Sequence, residues 1–251
     1  MLYDLKDNQI LDKLAQASEI LTDGDRGEVL IPESSVRDLT YVDLSGSAYH
    51  SVKRALDFLI AFCGMCFLAI PFLMVAAVIY LDDPGTVFFR QNRIGQDGKV
   101  FCLYKFRSMR MDTPEYLPTN ELTDPEAHIT RFGHFLRKTS LDELPQLINV
   151  ILGDMSLVGP RPLIAEEEEI HRMRTRFGVY KIRPGITGLA QINGRDTVSA
   201  VNKVRMDVAY LQRFSFLTDL KILLSTIPKL SGDKFVMEGY NANDPNSGNS
   251  D

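Results

Sequence analysis

The chain has 251 residues, of which 45% are apolar and 24% are charged, and this composition indicates one globular domain with appendages. The formal charge of −5 is unevenly distributed, because residues 1–50 hold ten acidic and only four basic side chains. A uniformly acidic protein is therefore excluded, and three cysteines are too few for a disulfide framework.

The two ends of the chain are predicted to be appendages. Residues 1–50 form an acidic N-terminal leader that lacks the basic-then-apolar layout of a cleaved signal peptide. One amphipathic helix followed by an irregular linker is expected there. Residues 232–251 have the composition of a disordered tail.

A long apolar segment follows the leader. Phe58 to Leu81 gives 24 consecutive residues without a charge, more than the roughly 20 that a membrane-crossing helix needs. A buried core helix is the alternative, although core helices are seldom apolar on every side for this length.

Proline and charge both favour a segment that enters the membrane and returns to the same side. Pro71 lies near the middle of the apolar run, where it removes a helical hydrogen bond and clashes with the preceding turn. Basic residues flank both ends, and the positive-inside rule then places both flanks in the cytoplasm. Residues 51–82 are therefore predicted to form a re-entrant membrane helix bent at Pro71. The flanking basic residues are Lys53 and Arg54 before the run, and Arg90, Arg93, Lys99, Lys105, Arg107 and Arg110 after it.

Residues 83–231 are predicted to form the functional domain. Two apolar-rich stretches separated by Gly95-Gln-Asp-Gly98 indicate a β-hairpin. Helical spacing follows, and the last helix is apolar enough to lie in a membrane interface. The predicted fold is mostly α with a small β-hairpin: a compact membrane-associated domain with amphipathic interfacial helices. The predicted helices are 129–139, 141–152, 163–178 and 205–231.

An acidic pair, Asp142 and Glu143, stands at the start of the second of these helices. Ser140-Leu-Asp-Glu143 matches a helix capping box, which would make both carboxylates structural. Pro145 suits capping by Leu141 or Asp142 better. Adjacent helical residues point about 100° apart, so the two carboxylates would serve different partners.

Two proline- and glycine-rich loops carry arginines. Gly159-Pro-Arg-Pro162 holds the guanidinium of Arg161 on a stiff loop, and arginine suits bidentate phosphate binding. A solvated turn arginine is the alternative. The loop from Arg183 to Arg195 is rich in glycine, which lets a backbone approach a phosphate or a ring closely. Further basic residues near these loops in sequence are Lys105, Arg107, Arg137 and Lys138.

Several common sites are missing from the sequence. The four histidines have no metal-ligand spacing, and there is no Walker A lysine, no GxGxxG after a strand and no GxSxG.

The motifs together resemble the monotopic phosphoglycosyl transferases, the bacterial sugar transferase family. The segments KRALDFLIAF, DDPGTVFFRQNRIG, KFRSM, LRKTSLDELPQLINVILGDMSLVGPRP and KIRPGITGLAQINGR occur in the family's order, over about residues 51–231. Many members have Ser-Pro where this chain has Ile70-Pro71. A serine could satisfy the freed helix backbone, so the resemblance leaves the support of the bend open.

The resemblance implies an activity: transfer of a sugar-1-phosphate from a UDP-sugar to undecaprenyl phosphate, with Mg²⁺ and release of UMP. It also implies a bacterial plasma-membrane location, with a cytoplasmic active site and no nucleic-acid partner; a homodimer is left open. The implied roles are Asp142 as nucleophile, Glu143 as its partner and both as metal ligands, Arg137, Arg161, Lys105 and Arg107 at substrate phosphate, Arg195 at the nucleotide sugar, and Pro71 at the bend.

Two rival functions remain. A non-catalytic membrane scaffold with a lipid-binding basic surface would need no acidic pair beside arginines. The unrelated polytopic phosphoglycosyl transferases need many spanning helices, whereas this chain has one long apolar run.

Overall fold

The computed structural model describes residues 39–113, 126–194 and 199–230, and it is mostly helical with two small sheets. The predicted leader and tail therefore lie largely outside the described residues. The helices are α1 Tyr49–Phe67, α2 Ala69–Asp82, α3 Arg131–Thr139, α4 Gln146–Leu152, α5 Glu168–Arg176, α6 Leu189–Ile192, α7 Ala200–Gln212 and α8 Phe216–Leu230. The strands are β1 Phe88–Ile94, β2 Val100–Phe106, β3 Ser156–Val158 and β4 Gly185–Thr187.

The apolar segment forms two helices, α1 and α2, that meet at a bend of 63°. The break at Leu68 lies three residues before Pro71, because the proline ring excludes the carbonyl four residues earlier, that of Phe67. The backbone N–H of Leu68 donates to Gly64 and that of Phe72 donates to Leu68, so regular bonds close both sides of the break.

Most of α2 is exposed. Ile79 is its one buried residue, and Leu81 is 78% exposed. This exposure contradicts the alternative of a buried core helix. In the described part of the chain, no helix has by itself the length and apolarity to cross a membrane; α1 and α2 have them together, as a bent pair.

The β-hairpin is confirmed. β1 and β2 pair antiparallel from Phe88 opposite Phe106 to Ile94 opposite Val100. The tight connection requires positive φ at Asp97 and Gly98, which glycine and aspartate tolerate better than most residues.

Later boundaries differ from the prediction. The predicted helix 141–152 begins as a 3₁₀ turn, Leu141–Glu143, and becomes α-helical only at Gln146, after Pro145. The predicted helix 205–231 is two helices, because α7 ends at Gln212 and α8 starts at Phe216. β3 and β4 form a parallel pair that the sequence did not predict, since strands of three residues show no periodicity.

A buried polar cluster joins α1 to α8 and β3. Lys53 Nζ lies 2.5 Å from Asp219 Oδ2 and 3.6 Å from Asp57 Oδ2. Asp57 in turn accepts a hydrogen bond of 2.7 Å from the Ser156 hydroxyl. Tyr49 and Tyr210 both donate to Asp219. The bent helix pair is thus fixed to the domain by charged groups as well as apolar contacts.

Candidate active site

The acidic pair lies in the tight turn between α3 and α4. Ser140 ends α3 in the left-handed region, with φ of 55°, and its backbone N–H donates to Arg137. An N-cap residue instead needs extended backbone, and the Ser140 side chain makes no capping hydrogen bond. The capping-box interpretation of Asp142 and Glu143 is therefore wrong.

Glu143 is surrounded by two cations from distant parts of the chain. Its Oε1 lies 3.5 Å from Lys105 Nζ on β2 and 3.8 Å from Arg161 Nη1 in the loop after β3. All three side chains are largely buried, and Asp142 beside them is 9% exposed. The turn, the hairpin and the Gly159-Pro-Arg-Pro162 loop therefore converge where an anionic substrate could bind.

Arg137 and Arg107 have different partners. Arg137 Nε donates a hydrogen bond of 2.9 Å to the Ser108 hydroxyl, just beyond β2. Arg107 Nη1 lies 3.3 Å from a carboxylate oxygen of Asp83, and its Nη2 donates to the Asp83 carbonyl. Arg107 thus joins the hairpin to the end of the bent helix pair. Arg195 lies outside the described residues.

The two glycine-rich loops pack on each other. The N–H of Gly159 donates to the Thr187 carbonyl, and the N–H of Gly185 donates to the Pro160 carbonyl, both at 2.9 Å. A Cβ on Gly185 would lie 2.0 Å from the Gly159 nitrogen, and one on Gly188 would lie 2.1 Å from the Gly159 oxygen. Glycine is needed at these positions because two backbones pack directly on each other. The sequence alone favoured a different interpretation of these glycines, as places where the backbone approaches a phosphate or a ring.

The backbone carbonyls of the Arg161 loop are bound by side chains that the sequence analysis did not identify as important. Arg174 Nη1 donates to the Arg161 carbonyl at 2.8 Å, and Arg93 Nη1 donates to the Pro162 carbonyl at 3.2 Å. His171 Nε2 lies 2.8 Å from the Ile164 carbonyl, and burial lowers the pKa of His171 to about 4. A neutral ring that donates through Nε2 fits this contact.

Gln191 is a second residue that the sequence did not single out. Its amide nitrogen and oxygen are both buried and have no hydrogen-bond partner among the described residues. It lies on α6, four residues before Arg195. Buried amides normally find partners, so this one is a candidate for contact with a bound molecule or water.

Comparisons with known proteins identify relatives of this chain. The family model described as bacterial sugar transferase matches residues 48–233. The uncharacterized sugar transferase EpsL of Bacillus subtilis is 42% identical over 71% of this chain and 87% of its own length. The exopolysaccharide production protein ExoY of Sinorhizobium fredii is 40% identical over 70% of this chain and 84% of its own length.

A third relative carries a more specific name. The UDP-glucose:undecaprenyl-phosphate glucose-1-phosphate transferase of Escherichia coli is 40% identical over 71% of this chain, which matches 40% of that longer protein. The region that the family model matches includes the acidic pair and both arginine loops. The chain therefore belongs to the bacterial sugar transferase family and is an enzyme of the phosphotransferase class.

Proposed function

We propose that this enzyme transfers a sugar-1-phosphate from a UDP-sugar to undecaprenyl phosphate, with Asp142 as the covalent nucleophile. The observation that carries the proposal is the position of the acidic pair: Asp142 is buried in a tight turn, and Lys105 and Arg161 lie within 3.8 Å of the adjacent Glu143. Relatives named as UDP-glucose:undecaprenyl-phosphate transferases support the substrate class.

The reaction proceeds in two displacements at one phosphorus atom. A carboxylate oxygen of Asp142 attacks the β-phosphorus, the bond from that phosphorus to the bridging oxygen breaks, and UMP leaves with the electron pair. A phosphate oxygen of the lipid then attacks the same phosphorus and expels Asp142. The product is a sugar joined to the lipid through a diphosphate.

The cations around Glu143 offset the repulsion between two anions. Lys105 supplies a compact charge, and Arg161 supplies a planar fork suited to two phosphate oxygens. Both cations contact Glu143, the residue next to Asp142 in sequence. When phosphate binds, these cations can shift from the carboxylate to the substrate without leaving the site.

Magnesium would be held here by the acidic pair together with substrate phosphate. Among residues 39–113, 126–194 and 199–230, no cluster of three or more His, Cys, Asp or Glu side chains could hold a metal ion alone. Mg²⁺ is commonly held by one or two carboxylates plus phosphates and waters, and Asp142 and Glu143 would supply those carboxylates. When bound, the ion would neutralise charge on the diphosphate.

A re-entrant placement in the bacterial plasma membrane suits this chemistry. The bend of 63° and the exposed apolar surface of α2 support a segment that returns to the cytoplasmic face, where headgroup phosphates are found. Cysteines introduced at Ser51 and Gln91, in a background without the native three, should both resist an impermeant thiol reagent in whole cells. Labelling at one end only would contradict the re-entrant placement.

Trapping the intermediate tests the chemistry. Purified enzyme in detergent, given a panel of UDP-sugars and Mg²⁺, should release UMP and carry the phosphosugar on Asp142. Asp142→Asn should lose both signals, because an amide is a poor nucleophile, and Glu143→Gln should be comparably damaging. A phosphosugar on another residue would refute the nucleophile. A folded wild type that releases no UMP from any UDP-sugar would favour the scaffold.

A further inference from the structure

Four successive backbone carbonyls after the Gly159-Pro160 turn each accept a hydrogen bond from a different donor. Three of the donors are side chains that are themselves buried, and the fourth is a backbone N–H at the end of β1. The pairs are Arg161 with Arg174, Pro162 with Arg93, Leu163 with the N–H of Ile94, and Ile164 with His171. Apart from one isolated β-bridge between Leu163 and Ile94, this loop lies outside the helices and strands, and these four contacts fix it along its length.

The donor to Arg161 is part of a buried ion pair. Arg174 on α5 and Asp207 on α7 are each 2% exposed. Arg174 Nε and Nη2 lie 2.9 and 2.7 Å from Asp207 Oδ2, which leaves Nη1 directed at the Arg161 carbonyl at 2.8 Å. One planar guanidinium therefore joins the α5–α7 contact to the backbone of the Arg161 loop.

Stability alone is a weak explanation for this pair. Desolvating two charges costs several kcal/mol for each ion, and well-packed apolar residues of similar volume often serve a core as well. What an apolar pair could not supply is a directed donor at the carbonyl of Arg161. Lysine could neutralise Asp207, but it lacks the rigid fork that reaches both groups at once.

We propose that Arg174, held by Asp207, is a positioning residue that sets the backbone of Arg161 so that its guanidinium meets the substrate phosphate. The proposal rests on the proposed function, in which Arg161 contacts that phosphate. Arg174 touches no substrate itself. Its effect reaches the reaction only through Arg161, and this makes the proposal testable by a double-mutant cycle.

The cycle combines Arg174→Lys with Arg161→Ala and measures kcat/KM for UMP release. Arg174→Lys keeps a cation for Asp207 and loses the donor to the Arg161 carbonyl. We expect a fall of roughly 10- to 100-fold, since displacement of a substrate-positioning group by about 1 Å has effects of this size. In the Arg161→Ala background the same change should have almost no further effect. Arg172→Lys is the matched control, because Arg172 lies on the same helix and pairs with Glu168 instead; it should retain wild-type kinetics.

The outcomes separate this inference from the function on which it rests. Near-normal activity of Arg161→Ala would refute the phosphate contact itself. A large loss in Arg161→Ala, with Arg174→Lys either silent or fully additive, would overturn the positioning role alone. If Arg174→Lys does not fold, Asp207→Asn is used in the same cycle, with the same expectation of non-additivity. Failure of both variants to fold would also overturn the proposal, because the pair would then serve the fold.

Discussion

Replacement of Lys53 by methionine should markedly lower the thermal stability of the protein. Among the described residues, Lys53 is the one cation that pairs with both Asp57 and Asp219. Removal of one partner from a buried ion cluster costs about 3–5 kcal/mol. The lower value applies here, because both carboxylates keep hydroxyl donors. Asp57 keeps the Ser156 hydroxyl, and Asp219 keeps the hydroxyls of Tyr49 and Tyr210. Burial, reinforced by Asp219, raises the pKa of Tyr210, so its hydroxyl remains a donor.

The expected loss of about 3 kcal/mol corresponds to a midpoint shift of roughly 6–12 °C for a chain of this length. The chain has no tryptophan, so thermal unfolding in detergent is best followed by far-UV circular dichroism. Lys99→Met is the matched control, because Lys99 is exposed at the hairpin turn. Adding Asp219→Asn to Lys53→Met should recover part of the loss by removing an uncompensated charge. A shift for Lys53→Met within about 2 °C of the control would refute the reasoning.

Substitutions at four other positions test other parts of the structure. Arg161→Ala and Arg161→Lys should both reduce kcat/KM for UMP release by roughly thirty- to several-hundred-fold, about 2–4 kcal/mol. Activity of the alanine variant within about threefold of wild type would instead support the alternative that Arg161 is a solvated turn arginine. Burial lowers the pKa of His171 from 6.5 in the unfolded chain to about 4 in the folded protein. The contribution of neutral His171 to folding stability should therefore be complete above pH 6.5 and lost as the pH falls towards 4. His171→Gln should therefore flatten the acid side of the stability profile, by up to about 3 kcal/mol, in unfolding midpoints measured against pH. Gly185→Ala should lower the unfolding midpoint well below that of Gly46→Ala, because its Cβ would meet backbone at 2.0 Å whereas Gly46 has open space; equal midpoints would contradict the packing. Gln191→Met should raise the unfolding midpoint, because the buried amide has no hydrogen-bond partner among the described residues. A fall in the free energy of unfolding by about 1 kcal/mol or more would show that the amide has a partner in the free enzyme.

Features with a local cause were predictable from the sequence. Pro71 located the bend to within three residues, because the steric cause lies within one helical turn. Gly95 to Gly98 located the hairpin turn, because apolar-rich stretches flank it and the turn needs positive φ.

Features that depend on distant parts of the chain were not predictable in this way. β3 and β4 pair across 29 residues in strands too short to show a pattern. The partners of Glu143 come from two other segments of the chain. Only the family resemblance indicated a catalytic role for the acidic pair, because the same residues also match a capping box. The left-handed backbone of Ser140 is what excludes the cap, and no pattern in the sequence indicates it.

The interlocked glycines also limit how this enzyme can be recombined with its relatives. Gly159 belongs to one loop, Gly185 and Gly188 belong to the other, and each loop occupies the space where the other would carry a side chain. A chimaera that takes the Gly159 loop from one parent and the Gly185 loop from another must match two backbones at contact distance. Substrate-specificity exchanges within the family should therefore transfer the two loops together, as a single cassette.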